Sequence, residues 1–166
     1  MIGSDDQQFD QTLLRRAFGC FPSGVTAFCG TINGKPEGIV ASSFTSVSLD
    51  PPLVSVCLAN TSTTWSRLSA LDRFGLSVLA SDHDTVARSL SSKSADRFAD
   101  VEWTSTKEGA IFVHGATLWL DCSPFMVVEA GDHQIVLLVV EGLAIHPDTD
   151  PLVFHGSNFH VLAQTG

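Results

Sequence analysis

Basic residues are scarce in this chain, which has 9 Lys and Arg against 18 Asp and Glu among its 166 residues. The formal net charge is therefore −9. A negatively charged protein repels polyphosphates, so we expect no nucleic-acid partner. A small anionic ligand is still possible, because a local group of N–H and hydroxyl donors binds phosphate even inside an acidic protein.

Long apolar runs are also missing, since no stretch approaches the roughly 18 uninterrupted apolar residues of a membrane span. The first residues, Met1 to Asp6, have neither the basic nor the apolar region of a signal peptide. We therefore expect a cytoplasmic protein with no membrane contact. The 44% hydrophobic content suits a packed core, and the length suits a single domain over residues 1–166.

Several familiar catalytic motifs are absent. The chain has no G-x-G-x-x-G and no G-x-x-x-x-G-K-[ST], so a nicotinamide cofactor would not sit in a Rossmann crevice. It has no G-x-S-x-G elbow of a serine hydrolase.

No C-x-x-C pair occurs, and we expect free thiols at the four scattered cysteines, Cys20, Cys29, Cys57 and Cys122. His133, His155 and His160 have no Cys or carboxylate at a recognised ligand spacing, so no metal site is predicted.

The apolar patterning predicts a mainly β domain with roughly seven strands and two or three short helices. An N-terminal helical segment, residues 1–20, carries Phe9, Leu13 and Ala17 at helical spacing before Gly19; the barrel occupies residues 21–162. A second helix is expected over Thr63–Leu71, capped by Thr63 or Thr64, and a third is capped by Asp82. The predicted strands are Val25–Ile32, its partner from Gly38 across an Asn33-Gly34 turn, Leu53–Leu58, Phe74–Ala80, Ile111–Asp121, Phe125–Glu129, His133–Ile145 and Leu152–His155.

Three clusters have a composition suited to a binding site. Residues 38–53 are rich in small and hydroxylated side chains, and Gly38 to Ser43 would let a flat ligand approach the backbone; an ordinary Ser/Thr-rich edge strand explains them equally well. Residues 60–64, at a helix start, suit a phosphate or a simple N-cap. His133 begins a strand whose alternate residues are apolar, where a histidine is usually structural.

Taken together and in order, three segments resemble the short-chain flavin reductase family: ASSFTSVSLDPPL at 41–53, SADRF at 94–98 and GDH at 131–133. The resemblance runs from about Phe21 to Leu162. It implies the FMN-binding split barrel, a Greek-key-like β-barrel with short flanking helices. The chain departs from the family at Ser42, where many relatives carry Asn, at Leu138, where Gly is common, and at 154–159, which lacks an Arg and a Tyr often found there.

The resemblance also implies site residues. Residues 40–43 would line the isoalloxazine ring, His133 would act catalytically beside the nicotinamide, and Lys93 and Arg97 would support the phosphate. Arg97 could equally pair with Asp96 or Asp100 and only stabilise the turn. The complete set of implied cofactor-binding residues is Val40, Ala41, Ser42, Ser43, Ser48, Cys57, Asn60, Ser62, Thr63, Thr64, Lys93, Arg97, Phe98 and Phe159.

The function that this resemblance implies is reduction of free FMN or FAD by NADH or NADPH, with the reduced flavin diffusing to a separate monooxygenase. We also expect a homodimer, because the apolar runs Leu53–Leu58 and Ile135–Val140 offer more hydrophobic surface than one small barrel readily hides. Two alternatives remain: a non-catalytic flavin-binding or storage module, and an enzyme that uses tightly bound flavin on another substrate.

Overall fold

The computed structural model describes residues 10–94 and 96–163, within which the chain forms three short helices and twelve strands. The helices are α1 (Gln11–Phe18), α2 (Thr63–Leu68) and α3 (Asp84–Ser91). The strands are β1 (Ser23–Gly24), β2 (Thr26–Ile32), β3 (Lys35–Ala41), β4 (Thr45–Leu49), β5 (Pro52–Ala59), β6 (Phe74–Val78), β7 (Trp103–Ser105), β8 (Ile111–Val113), β9 (Leu118–Ala130), β10 (His133–Ile145), β11 (Leu152–His155) and β12 (Asn158–Val161).

Seven strands form one antiparallel sheet in the order β3-β2-β6-β9-β10-β5-β4. The two edge strands, β3 and β4, follow each other in sequence and are joined by residues 42–44 alone. So short a connection spans at most about 14 Å, so the sheet must curl until its edges approach. The result is a barrel that is split between β3 and β4, which confirms the predicted fold class.

The core consists of two groups of buried side chains. The first fills the barrel, where the Phe28 ring stacks on Phe74 at 4.7 Å and meets the edge of Trp65 at 5.9 Å. The second lies between the barrel, α3 and a small sheet of β1, β11 and β12; it includes Leu90 and Leu152. The β7–β8 hairpin packs onto β6 at Gly75, where any side chain would collide with the backbone of Ile111.

The predicted hairpin at Asn33-Gly34 is confirmed, with both residues at positive φ (51° and 76°), as a type I′ turn requires. Other boundaries were wrong. Ile111–Asp121 is two strands separated by a turn at Gly115 (φ 76°), and β9 continues through Pro124 into the segment predicted as a separate strand. Beyond Cys122, β10 is the only strand of the described residues that pairs with β9, so Pro124 lies where β9 is an edge strand, a position that tolerates proline.

Helix boundaries and short strands also differ from the predictions. The α2 helix ends at Leu68, not Leu71, and α3 has His83 at its N-cap position instead of Asp82, without a capping side-chain bond. The short strands β4, β7 and β12 were not predicted, because each is only three to five residues long with little burial contrast. Phe9, predicted in the first helix, lies outside the described residues.

The apolar surface is not where the sequence placed it. Leu53, Val54, Val56 and Leu58 are buried inside the chain, and so are Val136 and Leu138 of the second predicted segment. Large apolar side chains are instead exposed on the second half of β9, at Phe125, Met126, Val127 and Val128 (40–53% exposed).

The cysteines are all free thiols, and burial raises the pKa of Cys29 and of Cys122 to about 12. In residues 10–94 and 96–163, no helix is long and apolar enough to cross a membrane.

Candidate functional site

The split between β3 and β4 exposes backbone donors. The Ser43 hydroxyl accepts a hydrogen bond from the Cys57 N–H (2.8 Å) and donates one to the Cys57 carbonyl (3.0 Å), which fastens the connecting segment to β5. Within the described residues, the N–H groups of Ser42 and Ser43 themselves donate no hydrogen bond. Ala41 is buried in the barrel core and Val40 packs against the second core group, so what the segment offers a ligand is the free N–H donors of Ser42 and Ser43.

Gly38, in the middle of β3, is a glycine because of the protein's own packing. A Cβ there would lie 2.6 Å from the Cys29 sulfur and 3.0 Å from the Phe98 ring. Phe98 is buried against this bare stretch of strand. The expectation that Gly38 admits a ligand is therefore replaced by a structural role: it lets the 96–98 loop pack closely onto β3.

Arg97 is held between two elements. Its Nη1 donates to the Thr64 hydroxyl (2.8 Å) and to the Gly38 carbonyl (3.2 Å). Within the described residues no carboxylate lies within 4.0 Å of the guanidinium, so the pairing with Asp96 or Asp100 left open by the sequence does not occur there. Asp96 instead accepts from the Phe98 N–H (3.0 Å). The remaining guanidinium N–H groups of Arg97 can reach an anion.

The hydroxyls at the start of α2 have different roles. Ser62 is the N-cap, since its hydroxyl accepts from the Trp65 N–H (3.1 Å), so the caps predicted at Thr63 or Thr64 lie one or two residues too late. Thr64 is buried and orients Arg97. Thr63 is exposed beside a cleft. Ser62 and Thr64 are therefore engaged with the protein, and Thr63 is the hydroxyl directly available to a ligand.

His133 is the first residue of β10, directly after the Gly131-Asp132 turn, and this turn is attached to the segment leading into α2. The Asn60 side chain donates to the Gly131 carbonyl (3.2 Å), and its N–H donates to the Asp132 carbonyl (3.0 Å). The Asp132 carboxylate is 2.7 Å from His133 Nδ1, and this hydrogen bond holds the pKa of Asp132 below its ordinary value. With Nδ1 engaged, Nε2 of the half-exposed imidazole is the ring nitrogen available to a ligand.

A cleft of about 640 Å³ lies between β3, α2 and the loop that precedes β7. It brings together four residues predicted to bind the cofactor: Thr63, Lys93, Arg97 and Phe98. Among the other lining residues, which the sequence reasoning did not assign to cofactor binding, are Lys35, Arg67 and Trp103. Because the chain has so few basic residues, each Lys and Arg could have been considered as a candidate for binding an anion. Only the fold shows that four of them line the same cleft.

Other predicted residues lie elsewhere. Ser48 is half-buried on β4, beside the irregular pairing between Ser46 and Ser48, and it does not line the cleft. Phe159, on the small sheet, packs against Phe154 at 5.5 Å, and the Arg88 guanidinium lies 5.2 Å above its ring. Within the described residues, no group of three or more His, Cys, Asp or Glu is arranged to hold a metal ion. Ala95, in the predicted turn before Asp96, lies outside those residues.

Similarity to known proteins points to one family. A family model described as a flavin reductase like domain matches residues 18–163. A probable flavin reductase of Rhizobium meliloti (strain 1021) is 41% identical over 130 residues, which cover 78% of this chain and 42% of the relative. The reductase subunit HsaB of a flavin-dependent monooxygenase from Mycobacterium tuberculosis is 31% identical over 154 residues, covering 92% and 82% of the two chains.

Among solved structures, the NADH:FAD oxidoreductase SgcE6 of Streptomyces globisporus C-1027, in complex with NAD and FAD fragments, superposes with a TM-score of 0.88. The two chains are 39% identical, and 93% of each is covered. The chain spans about half the length of the first two curated relatives it matches, 42% and 56%.

Proposed function

The chain belongs to the flavin reductase-like family, and on that premise we propose that it is an NAD(P)H:flavin oxidoreductase that reduces FMN or FAD. The observation that carries the proposal is that two features suited to a flavin lie next to each other along β3. Free N–H donors at Ser42 and Ser43 lie at one end, and a cleft containing Arg97 and Lys93 lies alongside. A flavin has the matching parts, a flat ring with hydrogen-bond acceptors and an anionic tail.

The residues fit a flavin at each end. The ring would lie at the split against Val40 to Ser43, where small side chains allow close approach and backbone N–H groups donate to its ring nitrogen and carbonyl oxygens. The phosphate would be bound by Thr63, Lys93 and the free N–H groups of Arg97. The cofactors supply the redox chemistry, which is transfer of a hydride from nicotinamide to flavin. The protein's task is to hold the two rings at reacting distance.

His133 is the residue proposed to orient the donor, NADH or NADPH. The Asp132 carboxylate, kept ionised by its lowered pKa, orients the imidazole through Nδ1 and leaves Nε2 available to a ligand. Asn60 supports the turn through two hydrogen bonds and therefore acts as a positioning residue. The half-exposed position of His133 suits a donor that enters and leaves at each turnover.

The proposed partner is a separate flavin-dependent monooxygenase that receives reduced flavin by diffusion. Support comes from the relative HsaB, which is named as the reductase subunit of such an enzyme. A reductase of this kind depends on the cellular pool of nicotinamide donor, so we place it in the cytoplasm.

A homodimer is also part of the proposal, now through a different surface. Among residues 10–94 and 96–163 no strand pairs with one edge of β9 from Ser123 to Ala130, and large apolar side chains of this segment are exposed, including Phe125, Met126 and Val128. A free, apolar edge strand favours pairing with another chain. Sedimentation at micromolar concentration should give twice the 17.7 kDa of one chain; the mass of a single chain would contradict the proposal.

The test of the main proposal is NADH oxidation by purified protein, followed with and without added FMN or FAD. We expect oxidation to be slow alone and to rise with flavin concentration. Saturable flavin binding without any NADH or NADPH oxidation would instead identify a storage module. Yellow cofactor retained through dialysis, with no response to added flavin, would identify an enzyme that uses bound flavin on another substrate.

A further inference from the structure

Gln134 connects two elements that carry different parts of the proposed site. It is the second residue of β10, and its side chain points to the opposite face of the strand from that of His133. Its Oε1 accepts a hydrogen bond from the indole Nε1–H of Trp65 on α2 (2.6 Å). Its Nε2 donates a hydrogen bond to the carboxylate of Glu129 on β9 (2.7 Å). The Gln134 side chain therefore ties the start of β10 to both α2 and β9.

The chemistry of these two partners fixes the orientation of the Gln134 amide. An indole only donates hydrogen bonds and an ionised carboxylate only accepts them, whereas an amide has an acceptor oxygen and a donor nitrogen. The oxygen must therefore face Trp65, and the nitrogen must face Glu129. The bond to the carboxylate is charge-assisted, which makes it stronger than a bond between neutral groups. The amide is thus held in one orientation from both sides.

Trp65 is itself held firmly in place. Its side chain is buried, and its ring meets the Phe28 ring edge-on in the barrel core, with 5.9 Å between the ring centroids. Its backbone N–H donates to the hydroxyl of Ser62, the N-cap of α2 (3.1 Å). The residue before it, Thr64, accepts the hydrogen bond that orients Arg97. Consecutive residues of α2 therefore support the proposed phosphate anchor and hold the start of β10.

The position of Gln134 determines the position of His133. The two residues are adjacent in the chain, so their Cα atoms are about 3.8 Å apart. Asn60 bonds to the turn before β10, whereas Gln134 bonds from within the strand itself. A shift of Gln134 relative to α2 therefore moves His133 relative to Arg97 by a similar distance.

We propose that Gln134 is a positioning residue for hydride transfer, because through Trp65 it sets the position of His133 relative to the flavin anchored by Arg97. The inference rests on the proposed function. In that reaction a C–H bond of the nicotinamide breaks and an N–H bond of the flavin forms, so the donor is oxidised and the flavin is reduced by two electrons. Reacting atoms must approach to about 3–3.5 Å, and a misplacement of about 1 Å can lower the rate about 100-fold. Loss of the Gln134 bonds should therefore slow the reaction while both ligands still bind.

The experiment follows flavin reduction in a single turnover by anaerobic stopped flow, with the full chain in excess over flavin and the nicotinamide donor saturating. Gln134→Met removes both hydrogen bonds at a similar side-chain volume, and Trp65→Phe removes the indole donor. Each variant should lower the reduction rate about 5–50-fold, while the affinities for flavin and donor change by less than about 3-fold. Because both variants break the same bond, the double variant should be no more than about 2-fold slower than Gln134→Met.

Two further variants separate positioning from general stability. Trp119→Phe is the matched control, because Trp119 also donates its indole N–H to one acceptor, the Val113 carbonyl (2.8 Å), but lies about 30 Å along β9 from Glu129. It should lower the melting temperature and leave the reduction rate unchanged. The exchange of Glu129→Gln with Gln134→Glu keeps both bonds and reverses the direction of the second one, because the new carboxylate accepts from Trp65 and from the new amide. It should restore the rate to within about 3-fold of the wild type.

A wild-type reduction rate in Gln134→Met would overturn the inference, as would equal losses of reduction rate and flavin affinity. Rate losses that multiply in the double variant, or no recovery in the exchange, would also contradict it. The melting temperature shows whether Gln134→Met is folded; if it is not, Trp65→Phe and the exchange decide in the same way.

The wild type separates this inference from the proposed function. A wild type that reduces no flavin with either donor contradicts the reductase function and the inference together. A wild type that reduces flavin, with Gln134→Met and Trp65→Phe equally fast, contradicts the inference alone.

Discussion

The cleft around Arg97 and the turn that carries His133 are built in opposite ways. Arg97 is half-buried and bonded to two other elements, through the buried Thr64 hydroxyl and the Gly38 carbonyl. His133 is half-exposed at the start of β10, and among the described residues its ring bonds only to the fully exposed Asp132 of the preceding turn. A group held by buried partners keeps its geometry when the ligand leaves, whereas an exposed one exchanges ligands readily. The difference is the reason we propose flavin binding for the first region and donor turnover for the second.

Arg97→Ala should have the largest effect, because it removes a charged donor that is already oriented. We expect affinity for FMN and FAD to fall about 10–150-fold, the loss of one or two hydrogen bonds to a charged group. Riboflavin, which lacks the phosphate, should bind as before. Fluorescence titration of the three ligands measures this. Arg16→Ala, at an exposed arginine on α1, is the control, and an equal loss of riboflavin affinity would mean that Arg97 only supports the fold.

His133→Ala should produce the converse pattern. Flavin affinity should stay nearly unchanged, while kcat/KM for NADH falls about 10–100-fold through loss of one oriented contact of about 1.4–2.7 kcal/mol. Steady-state kinetics and melting temperature are measured on the same sample, with His160→Ala, at another exposed histidine, as the control. A lower melting temperature with wild-type kinetics would make His133 a structural residue of the turn.

Two substitutions at the start of α2 distinguish residues that hold Arg97 or the helix in place from residues that contact the flavin phosphate. Thr64→Val keeps the buried volume but removes the acceptor for Arg97, and it should weaken FMN and FAD binding about 3–10-fold through a misplaced guanidinium. Ser62→Ala removes the N-cap instead; it should lower stability by about 0.5–2 kcal/mol with little change in flavin affinity. Urea denaturation and flavin titration of both variants measure the two effects. If Ser62→Ala weakened flavin binding more than Thr64→Val, Ser62 would contact the phosphate directly.

Asn60→Ala should have the smallest effect. It removes the side-chain bond to the Gly131 carbonyl, while the backbone bond to Asp132 remains, so we expect kcat/KM for NADH to fall about 2–5-fold. Steady-state kinetics of this variant, alongside flavin titration, measure the change. Because the substitution loosens the β9–β10 turn and not the proposed isoalloxazine site, flavin affinity should stay unchanged. A drop in flavin affinity without a kinetic change would move Asn60 to the flavin side.

How well a site residue could be predicted from the sequence depends on how far away in the sequence its contacts lie. Lys93 and Arg97 were predicted through the family resemblance, and Ser43 and Thr63 also because their segments are rich in small and hydroxylated residues. Which atom each residue uses was not visible: Arg97 rests on Thr64 and Gly38, 33 and 59 positions away. Trp103 was missed for the same reason, since it reaches the cleft only because β7 lies where the Trp103 ring packs against Phe98.

Local chain chemistry alone determined the β content, the Asn33-Gly34 hairpin and the family to which the chain belongs. Alternation of apolar residues and the backbone freedom of a turn depend on neighbours in sequence, so they are readable there. Tertiary structure decided which apolar strands are buried, that β9 runs unbroken through Pro124, and that four of the nine basic residues meet in one cleft. These depend on how a curled sheet pairs distant strands, which no local pattern encodes.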